Sequence, residues 1–400
     1  MMFPMKAIWP LLASNALILS QQHLIKSKKY SHLCRKNAQK FLSFFSNADG
    51  MTDSTQIPTN LDHHLFHPDA SRAEALLKDC PVHAPTPMTE IDLLTEEVGI
   101  SRLWLKDESD RMGLGSFKAL GGAFAVARMI ADKAGSEDFS SQATKNTAAE
   151  MVFITASAGN HGLSVAAGAK VFGAKAVIVL AAAVPESFAN RIRAKSADVL
   201  RVDGSYDESV EVARQVARDK DWILLADGSW EGYIDRPALV MEGYCVIPEE
   251  CRAAFAKLDV WPTHVYLQAG VGGLAAALSA HIRLNWAEQP EIIVVEPDAA
   301  PCLQRSVEAG RLTRVDGADS NMGRLDCKDA SLIAFRALQQ DADRFVTITD
   351  EEATAAVNTF ARYGIATTPS GAAGLAAPTA ASPGPDARCL LIVSEGPEGD

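Results

Sequence analysis

No aspartate or glutamate occurs before Asp49, although the 400 residues contain 50 of them. The first 48 residues hold seven Lys/Arg instead, which leaves 31 basic side chains against all 50 acidic ones in the remainder. The net charge of −12 therefore understates how acidic the body is, and it excludes a general binder of nucleic acid or of an anionic membrane. Long apolar runs are missing too. The stretch Ala7–Ser20 behind Lys6 contains a short apolar run that resembles a signal-peptide core, but it is too short, and too interrupted by Pro10, Asn15 and the following Gln21, to span a bilayer. An acid-free, basic leader also fits an organelle transit peptide. The abrupt change in composition favours a third reading, in which translation begins at Met51. Residues 1–60 are thus expected to be a basic leader or a mis-called extension without fixed structure, ahead of a cytoplasmic body. Cysteine is sparse, with seven residues (34, 80, 245, 251, 302, 327, 389), no CxxC and no zinc-ligand spacing. This argues against a disulfide framework and a metal site, and for a reducing compartment.

What is present is an ordinary globular composition, 48% hydrophobic and 22% charged, in a chain long enough for a two-lobed enzyme. No repeat of solenoid period occurs. From about Pro85, short apolar segments alternate with helical patterns. Strands are predicted at Leu103–Lys106, Val152–Thr155, Ala176–Leu180, Val199–Val202, Trp222–Leu225, His264–Gln268, Ile292–Glu296 and Leu390–Ser394. Helices are predicted over Lys118–Lys133 and Leu163–Phe172, from Glu186, and over Asp207–Lys220. Ala376–Asp386, with three prolines, reads as a loop. Such alternation predicts an α/β fold of parallel sheets with helices on both faces, and ligands bound beyond the carboxyl ends of strands.

Four motifs fall at those ends. Ser116-Phe-Lys-Ala-Leu-Gly-Gly122 places Lys118 at a helix start, where burial would favour a neutral, nucleophilic amine. Ser157-Ala-Gly-Asn-His-Gly162 joins a strand to a helix, so its small residues let backbone N–H groups meet an anion, with Asn160 adding a side-chain donor. His161 in the same turn reads more readily as a packing histidine than as a catalyst. Gln268-Ala-Gly-Val-Gly-Gly-Leu274 exposes N–H groups to one phosphate. It lacks the GxGxxG spacing and the later acidic residue of a dinucleotide site, which disfavours a nicotinamide oxidoreductase. Ser394 would end the last strand, where its hydroxyl could meet a ring nitrogen.

Together these motifs resemble the fold-type II pyridoxal-phosphate enzymes, a tryptophan synthase β-like fold, and most of all the diaminopropionate ammonia-lyase family. The resemblance rests on Leu105-Lys-Asp-Glu-Ser109, Phe117–Gly122, Trp230-Glu-Gly-Tyr233 preceded by Asp227, Gln268–Gly272 and Glu296-Pro-Asp298, and it runs from about Pro81 to Pro397. It implies two open parallel-sheet domains with the cofactor between them, a large one from 61–110 plus 209–400 and a small one from 111–208, in a homodimer. By matching position, Phe117, Lys118, Asn160, Gly270, Val271, Gly272, Gly273, Leu274 and Ser394 would hold pyridoxal 5'-phosphate, with Lys118 bonded to it. Ser157, Ala158, Gly159 and His161 would receive the carboxylate of an amino-acid substrate. Lys118 and Asp227 would be catalytic, Asp227 as the base for an L-substrate, and the products would be a 2-oxo acid and ammonia. One departure stands out. The family usually has an acid before Gly-Asn-His-Gly, assigned to the D-substrate, and this chain has Ala158, as the threonine dehydratases do. A serine, threonine or hydroxyaspartate dehydratase is therefore the alternative. The Asn321–Lys328 segment also differs in detail, and a further helix would be expected beyond Asp400.

Overall fold

The computed structural model describes residues 64–397, apart from 79, 81 and 158 and the side chains of 206 and 207. The expected leader and Ala158 lie outside the described residues. The strands are β1 (Met88–Glu90), β2 (Arg102–Asp107), β3 (Val152–Ala156), β4 (Lys175–Ala181), β5 (Asp198–Val202), β6 (Ile223–Leu224), β7 (His264–Gln268), β8 (Glu291–Pro297), β9 (Arg344–Ile348) and β10 (Arg388–Val393). They form a six-stranded sheet in the order β1-β2-β10-β7-β8-β9 and a four-stranded sheet in the order β5-β4-β3-β6. Every pairing is parallel except β1 with β2. The antiparallel edge was not predicted, because three residues (Met-Thr-Glu) are too few to show an alternation.

The sheet interiors follow from period-two burial. In β2, Trp104 faces one core while Leu103 and Leu105 face the other; in β10, Leu390 and Ile392 oppose Cys389, Leu391 and Val393. β7 and β8 repeat the split, Val265 and Leu267 against Tyr266, and Ile292 and Val294 against Ile293 and Val295. Both faces are therefore apolar, which is why these strands read as continuous hydrophobic runs. β4 divides likewise, Val177 and Val179 on one side and Ile178 and Leu180 on the other.

Helices cover these faces: α1 (Ser71–Leu77), α2 (Asp92–Val98), α3 (Lys118–Ala134), α4 (Gln142–Glu150), α5 (Asn160–Phe172), α6 (Glu186–Ala194), α7 (Tyr206–Lys220), α8 (Asp235–Tyr244), α9 (Val246–Leu258), α10 (Gly273–Asn285), α11 (Cys302–Ala309), α12 (Leu332–Asp341), α13 (Asp350–Arg362) and α14 (Pro369–Ala380). Capping boxes start two of them, Ser205 with Glu208 on α7 and Thr349 with Glu352 on α13. The predicted loop at Ala376–Asp386 is corrected: α14 continues to Ala380 with Pro378 inside it. Ala376, Ala377 and Pro378 are buried there, so packing and the helix preference of alanine outweigh the proline.

Two features fix the start of α3. A buried ionic cluster anchors the segment ahead of it. The Arg111 guanidinium donates to Glu108 at 2.7 and 2.8 Å and to Glu250 at 2.8 Å, while Lys106 Nζ donates to Glu250 at 2.5 Å. Small residues then let α3 lie close to α5 and α8. A Cβ on Gly121 would come within 2.4 Å of Tyr244 Cε1 and 2.6 Å of the Val240 carbonyl, and one on Gly168 within 2.9 Å of Ala123 Cα. Gly121→Ala is accordingly expected to lower stability by about 1–3 kcal/mol through overpacking, despite the better helix propensity of alanine. Urea unfolding measures it; an unchanged midpoint would show that this helix crossing has slack.

Candidate active site

Each motif residue sits just past the carboxyl end of a strand. Lys118 opens α3 a short loop after β2, Asn160 opens α5 after β3, Asp227 follows β6, the 270–274 turn follows β7, and Ser394 follows β10. Two backbone contacts tie the first and last together. The Phe117 N–H donates to the Ser394 carbonyl at 3.1 Å, and the Gly396 N–H to Gly115 at 3.0 Å.

Lys118 Nζ forms an ion pair and hydrogen bond with Asp227 Oδ2, both side chains being 22–23% exposed. Burial alone would lower the lysine pKa, but the Asp227 carboxylate outweighs it and holds the amine well above the ordinary lysine range. The expectation of a neutral Lys118 is thus corrected: without cofactor the nitrogen is an ammonium, because its counter-charge is adjacent. For Asp227, burial would raise the pKa, yet the Lys118 charge holds the carboxyl far below the usual range.

The loop carrying Asp227 is fixed by the Trp-Glu-Gly-Tyr motif. The Tyr233 hydroxyl accepts from the Ala226 N–H and donates to the Leu224 carbonyl, each at 3.0 Å, with the Trp230 and Tyr233 rings stacked at 4.3 Å. His161 grips the same loop from α5. Its ring is buried, and Nε2 lies 2.8 Å from the Leu225 carbonyl, which assigns the proton to Nε2. Burial keeps its pKa low, so the imidazole is neutral. The ring thus serves the Asp227 loop, and what His161 can offer an anion is its backbone N–H.

The Ser157–Gly162 turn is tight by necessity, since a Cβ on Gly162 would come within 2.6 Å of the Ser157 carbonyl. Ser157 Oγ accepts from the Gly159 N–H at 3.3 Å. Asn160 donates through Nδ2 to Glu395 Oε2 at 2.5 Å, and Thr368 donates to Glu395 Oε1. Burial raises the Glu395 pKa, opposed by Arg324, whose Nε lies 3.7 Å from Oε2. Glu395 is a residue that sequence reasoning missed. Its only signal was adjacency to Ser394.

The 270–274 turn starts α10 with Gly272 at φ +99°, a conformation that glycine adopts without strain, and no side chain caps the helix. The free N–H groups of its first turn suit a phosphate. Gly270 is packed tightly, because a Cβ there would meet Cys327 Sγ at 2.9 Å. Burial pushes the Cys327 thiol up to about 12, so it is not a thiolate. The Tyr244 hydroxyl, also missed, is buried and makes no hydrogen bond among the described residues. An amine, an uncapped helix start, an amide and a terminal hydroxyl fit pyridoxal phosphate as a donor set. No group of His, Cys, Asp or Glu suited to a metal occurs among the described residues, nor any helix long and apolar enough to cross a membrane.

The ion pair has a pH signature. The depressed Asp227 pKa contributes stability in full above about pH 4, lost as pH falls through the lower folded value. The raised Lys118 pKa contributes in full below about pH 10, lost as pH rises through the higher folded value. In the cofactor-free protein, Asp227→Asn should flatten both limbs of the stability–pH profile measured by urea unfolding. Limbs parallel to the wild type would mean that the pair contributes nothing.

Comparison with known proteins identifies the family and the fold. The model of the family described as "Pyridoxal-phosphate dependent enzyme" matches residues 80–395. Diaminopropionate ammonia-lyase from Escherichia coli (strain K12) is 34% identical over 276 residues, 68% of this chain and 69% of that protein. The crystal structure of the Escherichia coli enzyme in complex with D-serine superposes with a TM-score of 0.74 at 29% identity, covering 83% of this chain and 90% of that one. The threonine deaminase from T.th. superposes with a TM-score of 0.68 at 25% identity, over 83% and 99% of the two chains. A fold-type II arrangement is common to all of them. The chain belongs to the pyridoxal-phosphate-dependent enzymes and, within them, to the diaminopropionate ammonia-lyase family.

Proposed function

We propose that this enzyme catalyses α,β-elimination of 2,3-diaminopropionate, the L-isomer favoured, to pyruvate and ammonia. The observation that carries the reading is the Lys118–Asp227 pair, an amine and a base in contact at the convergence of five strand ends. Pyridoxal phosphate, when bound, draws electrons from the substrate Cα and so acidifies its C–H bond. Lys118 would hold the cofactor through its Nζ. Asp227, freed of its ammonium partner, accepts the Cα proton as a carboxylate. Asn160, steadied by Glu395, would hold the ring oxygen, and the N–H groups around Gly270, Val271, Gly272, Gly273 and Leu274 would hold the phosphate. Phe117 would line the cofactor beside Lys118. The Ser394 hydroxyl would serve the ring nitrogen without the charge that keeps it protonated. Ser157, Gly159 and the His161 backbone, with Ala158 between them, receive the substrate carboxylate at the positive end of α5.

In sequence, Ala158 stands where the family usually has the acid assigned to a D-substrate, which supports a preference for L. It equally supports the second reading, a serine, threonine or hydroxyaspartate dehydratase of the same fold. Six cysteines among the described residues are free thiols, in keeping with a cytoplasmic setting. A homodimer is proposed on the resemblance alone, and sedimentation of the holoenzyme tests it.

Keto-acid release from L- and D-diaminopropionate, serine, threonine and hydroxyaspartate decides between the readings; L-diaminopropionate should be fastest and its D-isomer much slower. A hydroxy amino acid at the head of the series would replace the first reading with the second. Lys118→Ala should lose the visible absorbance of the bound cofactor. Asp227→Asn should keep that absorbance and lose about 10²–10⁴-fold in turnover of the L-substrate; full turnover would remove Asp227 from the chemistry.

A further inference from the structure

Arg324 borders the Ser157–Gly162 turn, and it belongs to the Asn321–Lys328 segment that differs in detail from the family pattern. Its backbone is fixed by α14 and by the 270–274 turn. The Arg324 N–H donates to Ser370 Oγ at 3.1 Å, and a Cβ on Gly270 would come within 3.0 Å of the Arg324 carbonyl. From there the side chain runs towards α5 and α6. Nε and Cδ lie 3.6 and 3.7 Å from where a Cβ on Gly159 would stand. The guanidinium carbon is 5.9 Å from the centre of the Phe188 ring on α6, within cation–π reach. Nε is also 3.7 Å from Glu395 Oε2, the atom that accepts from Asn160. The Glu395 side chain is only 6% exposed, but that of Arg324 is 30% exposed, so it meets the solvent beside the turn.

As an anion site the turn alone is weak. The first N–H groups of α5 and the helix dipole offer partial charge only, and the Lys118 ammonium is matched to Asp227. A carboxylate drawn out of water needs a full counter-charge as well. Arginine supplies it in the form best suited to a carboxylate, a planar fork that donates twice and stays charged. At 3.7 Å the contact with Glu395 is one of charge rather than a hydrogen bond. We propose that the Arg324 guanidinium receives the α-carboxylate of the substrate together with the backbone N–H groups of the Ser157–Gly162 turn. Arg324 is then the specificity residue that selects free 2-amino acids over their amides and over peptides. The inference rests on the reading of that turn as the carboxylate site.

The test uses the holoenzyme and two amines without a leaving group, L-alanine and L-alaninamide, whose binding is followed by the visible absorbance of the cofactor. The wild type is expected to hold L-alanine the more tightly. Arg324→Gln keeps a polar side chain and removes its charge. It should weaken L-alanine about 10–100-fold and leave L-alaninamide as it was. KM for L-diaminopropionate should rise by a similar factor with kcat little changed. Equal weakening of both amines would make Arg324 a brace for Glu395 and Asn160 and overturn the inference, as would a wild type indifferent to the carboxylate. A loss confined to hydroxyaspartate, with L-alanine unaffected, would put the guanidinium on a second carboxylate and overturn it too. Failure of the ammonia-lyase reading has its own signature: L-alanine binds in an Arg324-dependent way, but diaminopropionate releases no ammonia.

Discussion

The ion pair between Lys118 and Asp227 is the interaction around which the site is arranged. Two charges held mostly out of water are tolerable only as partners, since either alone would carry a desolvation penalty of several kcal/mol. The pair also stores the enzyme in a definite protonation state. While it is matched to the ammonium, Asp227 is a poor base. On the function proposed, engaging the lysine nitrogen elsewhere would free it, and base strength would be coupled to cofactor attachment through electrostatics, without a moving part.

Most of the surrounding structure can be understood as holding these two residues at one separation. Lys118 is located from behind by the Arg111 cluster and from the side by the close crossing of α3 with α5 and α8. Asp227 is located by Tyr233 and His161, which grip the two residues before it and the end of β6. The anchors come from both sheets, so the distance between amine and carboxylate depends on the packing of α3 and α5.

The fold was legible in the sequence where burial is two-sided. β7, β8 and β10 were found as apolar runs because both faces meet a core. β1 was not, since a three-residue edge strand has no period to detect, and the end of α14 was hidden because three prolines mask a helix that packing sustains. In the site, residues presented by turns were visible: Lys118, Asn160, the 270–274 glycines and Ser394 all stand at strand–helix junctions. Tyr244 and Glu395 were not, because their importance lies in what approaches them from distant segments. Nothing local in Met-Glu-Gly-Tyr shows that its hydroxyl is unpaired. The protonation state of Lys118 was misjudged for the same reason, as Asp227 lies 109 residues away.

The position of β10 bears on how the enzyme comes into being. It lies between β2 and β7 in the large sheet, yet among the described residues it follows every other strand in sequence. Until residues 388–393 leave the ribosome, β2 and β7 each present an open hydrogen-bonding edge, a state prone to misassociation. Phe117, next to Lys118, takes its backbone acceptor from Ser394, so the lysine is seated by the same event. A chain still in synthesis can therefore carry both Lys118 and Asp227 without the completed sheet behind them. On the function proposed, reactivity toward free amino acids would begin only when the sheet is complete.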